Sequence, residues 1–386
     1  MDLSFTDEQT FLRDAVRDVC AKHCDPEAIR ALEDDPVGWS QDFWQELASM
    51  DLLGLSLPAE HGGSGMGLLE SVIVAEELGR AIAPSPWFPS VVVGGGLLAA
   101  MGSADQQAQW LPAVAKGEAI LTLAWLEPNN TDGPTGVQLE GKIDGDAITL
   151  SGTKIMVPFA NSADRLLVLA RTGTGDTDIT LLMVDPTVDG IELEHTLTAG
   201  RGAEHEVRFS DVTVGGDAVV GALNGGWAGF VDAMDGALIV AAGLANGGAE
   251  KVLEMTVEYA KERVQFGVPI GNFQGVSHPI ADIATEIEGS KTLSYEAAWA
   301  ATDQGGAGAL AAMAKQYAAD VFRRATRVGH QVFGGIGFTN AIDMQLYFRR
   351  AKQLELSWFE PRTLAERVAA AELDAPEPLV TIDAGV

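Results

Sequence analysis

"EGKIDGDAITLSGTK" (residues 140–154) marks where the sequence changes character. It reads as two short strands joined by an Asp-Gly turn, a signature of a β-hairpin. Four further stretches, 164–172, 178–186, 190–197 and 205–214, alternate or run apolar over strand lengths between Gly, Asp and Pro. Residues 119 to about 222 are therefore expected to be all-β.

On the N-terminal side the period is helical. Thr6 opens a helix with Gln9 three residues on, a capping box, and Leu12, Ala15, Val16, Val19 and Cys20 follow at helical spacing. "DFWQELASMDLLGL" (42–55) and "GLLESVIVAEELGRAI" (67–82) read as amphipathic helices around the Pro/Gly loop "SLPAEHGGSGMG". "PSVVVGGGLLAAMG" (89–102) and "DQQAQWLPAVAKGE" (105–118) continue the pattern. On the C-terminal side, long helical runs from 225 onward break at 267–279, 302–308 and 333–343, as in a helical bundle. The expected fold is α+β: an N-terminal helical domain over 1–118, a β-barrel or sandwich over 119–222, a helical bundle over 223–375 and a tail over 376–386.

The chain has 386 residues, 47% of them apolar, enough for more than one core and against disorder. Net charge is −30. Such a chain repels nucleic acid, and any phosphate it binds needs local Arg, Lys or backbone N–H groups. Cys20 and Cys24 lie four apart on one helix face, as free thiols in a reducing compartment or as part of a metal site lacking other ligands. The acidic start "MDLSFTDEQ" carries no signal-peptide pattern, and apolar runs such as "GALIVAAGLANGG" read as too short to span a bilayer. A cytoplasmic protein that meets neither membrane nor nucleic acid is expected.

Two motifs bear on chemistry. In "RVQFGVPIGNFQGVSHPIADI" (263–283), Arg263 can pair with a phosphate or simply close a helix. In "HQVFGGIGFTN" (330–340), Gly334 and Gly335 can bring backbone N–H groups to a pyrophosphate or simply make a turn. None of the six histidines sits at metal-ligand spacing, and GxSxG and P-loop motifs are absent, so hydrolase and kinase chemistry has no support.

In combination the motifs are more specific. "FTDEQTFLRDAVRDV", "LPAEHGGSGMG", "VAEELGR" and "WLPAVAKGEAILTLAWLEP" are followed in order by "RVQFGVPIGNFQGVSHPIAD" and "QVFGGIGFTNAIDMQLYFRRAK". The chain resembles the acyl-CoA dehydrogenase family to about residue 370. The resemblance implies an oxidoreductase of lipid metabolism with FAD as cofactor, desaturating an acyl-CoA between Cα and Cβ. A glutamate takes the α-proton, flavin N5 takes the hydride, and hydrogen bonds hold the developing enolate. It also implies FAD lying across a subunit interface. One chain grips the flavin while its neighbour reaches to the diphosphate and adenosine. Arg263, Gln265 and Phe266 match the family's reaching Arg-x-x-Phe-Gly element; Gln331, Gly334 and Gly335 match its Gln-x-x-Gly-Gly turn.

The gripping half departs from the family. "WLEPNNTDGP" keeps Glu127 and Pro128 but neither the preceding hydroxyl nor the Gly-Ser-Asp run, and Met156 and Pro158 stand where Trp and Thr are usual. The two known positions of the base align with Trp358 and Gly236, neither of which takes a proton; Glu360 and Asp235 are the nearest carboxylates. Three functions remain compatible. The chain is the base-lacking subunit of an α2β2 heterotetramer with a paralogous partner, as in members linked to steroid degradation. Or it is a self-sufficient homomeric enzyme with Glu360 or Asp235 as an unconventional base. Or it is a non-enzymatic flavin- or acyl-CoA-binding protein.

Overall fold

Local signals set the N-terminal helices. The computed structural model describes residues 5–374 other than 130, 304 and 305, so the tail expected at 376–386 lies outside the described residues. Thr6 and Gln9 form the capping box at the start of α1 (Asp7–His23), with Gln9 N–H to Thr6 Oγ1 at 3.2 Å and Thr6 N–H to Gln9 Oε1 at 3.0 Å. Asp25 caps α2 (Pro26–Glu33) and Ser40 caps α3 (Gln41–Ser49). The helix expected over 42–55 stops at Ser49, because Asp51 takes a left-handed φ of 58° and turns the chain. α4 (Leu68–Arg80) follows, then a π-helical run at Trp87–Gly95, α5 (Gly96–Met101) and α6 (Ala104–Ala115). The π-helical run was not legible in the sequence; Pro89 inside it has no N–H to give an ordinary helix.

The middle of the chain is one mixed sheet. Its strands are β1 (Leu121–Ala124), β2 (Glu140–Asp144), β3 (Ala147–Pro158), β4 (Arg165–Arg171), β5 (Ile179–Val184), β6 (Ile191–His195), β7 (Glu204–Gly215) and β8 (Val219–Val220). They run in the order β6-β7-β3-β2-β4-β5-β8, with β1 parallel on β4. The β2–β3 turn is the two-residue loop between the paired Asp144 and Ala147. β5 is buried end to end and β4 over Leu166–Ala170 between its half-buried terminal arginines, as their continuous apolar runs require. β3 shifts register against β7 between Lys154 and Val157, and Met156 takes a φ of 54° in that irregularity.

The C-terminal region is helical. α7 (Gly226–Glu262) leads through a short hairpin, β9 (Val264–Gln265) and β10 (Val268–Pro269), to α8 (Gln274–Asp303) and α9 (Gly308–Phe333), then α10 (Met344–Leu356) and α11 (Pro361–Glu372). α7 corrects one expectation: it is long and apolar enough to cross a membrane by length and composition, with 56% of its most apolar window buried inside the protein. Packing explains much of that apolarity. A Cβ on Gly247 would meet Glu76 O at 1.7 Å, and one on Gly79 would meet Leu244 O at 2.0 Å, so α4 and α7 touch backbone to backbone.

Candidate functional site

A cavity of about 420 Å³ opens where the N-terminal helices, the end of β3 and α10 meet. Trp87 and Phe88 of the π-helical run, Trp125 after β1, Met156 and Phe159 at the end of β3, and Trp358 after α10 give it an aromatic wall. Ile82, Met156, Phe159, Arg201 and Trp358 all line it with positive φ. Each costs roughly 1–3 kcal/mol of strain that the surrounding packing must hold, a pattern common at functional sites.

The strain is sharpest in the elbow between α10 and α11, where Trp358 (φ 58°) and Phe359 (φ 72°) are consecutive left-handed residues. Trp358 packs edge-on against Phe88, ring centroids 5.2 Å apart, and buried Phe359 packs against Trp125 at 5.0 Å. Two groups far away in sequence fix the elbow. Lys315 of α9, 2% exposed, donates to Glu355 O (3.1 Å) and Phe359 O (3.0 Å), and burial pushes its amine down to about 7. Asp132, in the loop between β1 and β2, accepts from Glu360 N–H and Thr363 Oγ1–H, both at 2.6 Å, and so caps α11.

Behind the cavity lies a buried ion pair. Lys154 donates to Glu127 Oε1 at 2.7 Å and to Trp125 O at 3.1 Å. Glu127 also accepts the N–H groups of Gln138 and Leu139 at 2.9 Å. Burial outweighs the attraction of Glu127 and pushes Lys154 down to about 8. This pair ties the start of the Glu127–Pro128 loop to β3.

The other end of α7 is built differently. Arg263 closes the helix and the hairpin follows, with Gln265 exposed and Phe266 93% exposed at its tip. α9 ends beside it: Tyr259 stacks on Phe333 with centroids 4.3 Å apart. Gly334 then takes φ 64° and ψ −144°, a conformation open essentially only to glycine. A Cβ at Gly334 or Gly335 would meet nothing within 4 Å, so this backbone lies open to a ligand or a second chain. Gln331 is exposed on the same turn. At 1.5 Å per residue, Gly236 and Arg263 on α7 lie about 40 Å apart.

Sequence models of the acyl-CoA dehydrogenase N-terminal and C-terminal domains match residues 6–118 and 224–357. Acyl-CoA dehydrogenase IpdE2 of Mycobacterium tuberculosis is 31% identical over 371 residues, covering 96% of this chain and 99% of that protein. The chain belongs to the acyl-CoA dehydrogenase family. Among solved structures, the ChsE4-ChsE5 complex from Mycobacterium tuberculosis aligns with a TM-score of 0.88 at 28% identity, over 98% of this chain and 100% of that one. The Tcur3481-Tcur3483 steroid ACAD aligns with a TM-score of 0.84 at 31% identity, over 94% and 97%.

Acyl-CoA dehydrogenases are FAD-dependent oxidoreductases. Against that family's needs, the two ends of α7 divide. Arg263, Gln265 and Phe266 lie at the C-terminal end of α7, and Gln331, Gly334 and Gly335 at the end of α9, whose Phe333 stacks on Tyr259 of α7; a guanidinium and open glycine backbone are the groups that a diphosphate would need. The cavity has a largely aromatic and apolar wall, and neither Trp358 nor Gly236, the positions singled out in the sequence for the base, is a carboxylate. Trp358 lines the cavity, and its indole can offer only an N–H. Gly236 is not on the cavity wall. Asp235 is held in an ion pair with Arg367 of α11, and burial raises its carboxyl above the usual range. Glu360 is exposed on the far side of the elbow, with its backbone capped by Asp132. Lys315 and Asp132 were missed in the sequence. Lys315 had a signal, since it shares the buried face of α9 with Ala311, Ala318 and Phe322; Asp132 had none.

Proposed function

We propose that this chain is the base-lacking subunit of a heteromeric acyl-CoA dehydrogenase. It completes the FAD site of a paralogous partner that carries the glutamate, in an α2β2 assembly acting on an acyl-CoA thioester. One observation carries the proposal: Trp358 stands at the aligned base position inside a strained, doubly anchored elbow, while Arg263, Gln265, Phe266 and Gln331 are exposed at the C-terminal ends of α7 and α9. In this reading a FAD held by Arg263 and Gly334–Gly335 serves a cavity on another chain. FAD supplies the acceptor for the hydride when bound; this chain supplies Arg263 for the diphosphate, the open glycine backbone, and the Phe266 ring as a flat apolar contact. The heteromeric ChsE4-ChsE5 and Tcur3481-Tcur3483 structures support the same arrangement for this chain. The self-sufficient alternative would need Asp235 or Glu360 to reach a thioester, and neither lies on the cavity wall.

The test is expression alone and with paralogous acyl-CoA dehydrogenases that carry the base glutamate. The lone chain is expected to show no acyl-CoA-dependent flavin bleaching, and activity is expected only on co-expression. A lone chain that bleaches with acyl-CoA would refute the proposal.

A further inference from the structure

One cavity-lining side chain has no role in the account above. Arg350 lies on the wall of the 420 Å³ cavity, and among the described residues its guanidinium forms no ion pair. Its Nη1 donates to Gln353 Oε1, and the Gln353 amide donates in turn to Glu204. Burial lowers the guanidinium from its usual value, against the pull of Glu204 and Glu33. Beside it, Arg349 gives Nη2 to Glu33 (2.8 and 2.9 Å) and Nε to Gln345 (2.9 Å), which leaves Nη1 buried without a partner.

The charge around these groups is inverted relative to the chain. Arg201, Arg349, Arg350 and Lys352 line the cavity with Glu33 and Glu204, whereas the whole sequence has 25 Lys and Arg against 55 Asp and Glu; Arg201 pairs with Asp34, Arg349 with Glu33 and Lys352 with Glu355, so Arg350 is the one of the four without an ion pair among the described residues. A partly desolvated guanidinium beside an orphaned donor gains more from an anionic oxygen than from water. Much of the remaining wall is aromatic and apolar.

We propose that this cavity accepts an apolar acyl body that bears a carboxylate, with the carboxylate seated on Arg350 and the body against Trp87, Phe88, Trp125 and Trp358. The inference does not depend on which chain carries the base. The cavity takes such a ligand whether or not it turns it over.

Three cavity tryptophans make the test direct. Fluorescence titration of the full chain compares phenylbutyrate with its methyl ester. The acid is expected to bind about 10- to 100-fold tighter than the ester, the range for a hydrogen bond to a charged group. Arg350→Gln is expected to erase that preference while leaving the ester's affinity unchanged, and Arg350→Lys to keep part of it. Equal binding of acid and ester to the wild-type chain overturns the proposal whether or not the variants fold, and so does a preference that survives in Arg350→Gln. Repeating the titration with saturating FAD separates the two sources of anion. A preserved preference supports the acyl carboxylate. A preference abolished by FAD, with FAD binding weakened by Arg350→Gln, gives Arg350 to the cofactor phosphates and overturns the proposal.

Discussion

The two ends of α7 face opposite demands. Near its N-terminus Phe230 packs on Trp125 of a cavity whose wall also holds Trp358, Met156 and Pro158, and Asp235 is tied to Arg367. At its C-terminus, Arg263, the exposed hairpin tip and the Gly334–Gly335 turn carry the two motifs singled out in the sequence, with nothing within 4 Å of a Cβ at either glycine. The cavity end is nevertheless the more elaborately held, by a buried ion pair, a buried lysine and an aspartate cap. The scaffold around Trp358 is firmly anchored, whereas the motif residues at the other end lie open. On the proposed function, the cavity end serves shape and the far end cofactor binding.

The comparison can be broken at several points. The largest effect is expected at the buried pair. If the cavity end were vestigial, Lys154→Met would be tolerated; removing the buried ammonium from beside the Glu127 carboxylate should instead cost about 3–5 kcal/mol in chemical denaturation. At the far end, Arg263→Ala should raise the Kd for FAD of the co-expressed assembly about 10- to 100-fold, with the melting temperature of the lone chain unchanged because Arg263 is exposed. The elbow is read by pH. Lys315 titrates near 7 when folded and near 10.5 when unfolded, so the unfolded chain binds more protons between these values and stability rises with pH across that window. Glu76, buried and pushed up to about 7, acts in the opposite sense: the folded chain binds more protons between 4.5 and 7, and stability falls as pH rises there. Lys315→Met should flatten part of the alkaline rise, the rest coming from Lys154, and leave the acid limb intact. The smallest effect is expected at Glu360→Gln, which should leave turnover of the co-expressed assembly unchanged; abolished turnover would move the base back onto this chain.

Local signals were the legible part of the fold. The Thr6–Gln9 box, the turn after Asp144 and the apolar runs of β4 and β5 are each set by neighbours in sequence, and they fold as their residues imply. What escaped depends on contacts made across the chain. The helix expected over 42–55 is cut by one left-handed residue, Asp51, which no periodicity shows. The Glu127–Lys154 pair joins residues 27 apart, and Asp132 meets Glu360 across 228. The apolar span of α7 was misjudged because its glycines read as interrupting the apolar run, whereas Gly243, Gly247 and Gly248 lie inside the helix where α4 and α9 press against it. At the site, the six candidate cofactor residues could be singled out because they form short contiguous motifs. Arg350 and the aromatic wall were not, because seven separate stretches of chain build the cavity.

The central claim is that FAD bound at this chain's far end belongs to a cavity on another chain. Flavin absorbance measured against protein concentration in the purified co-expressed assembly tests it most directly. The account predicts one FAD for every two chains, lost on Arg263→Ala in this chain alone. One FAD per chain, with the second FAD unaffected by that substitution, would contradict it.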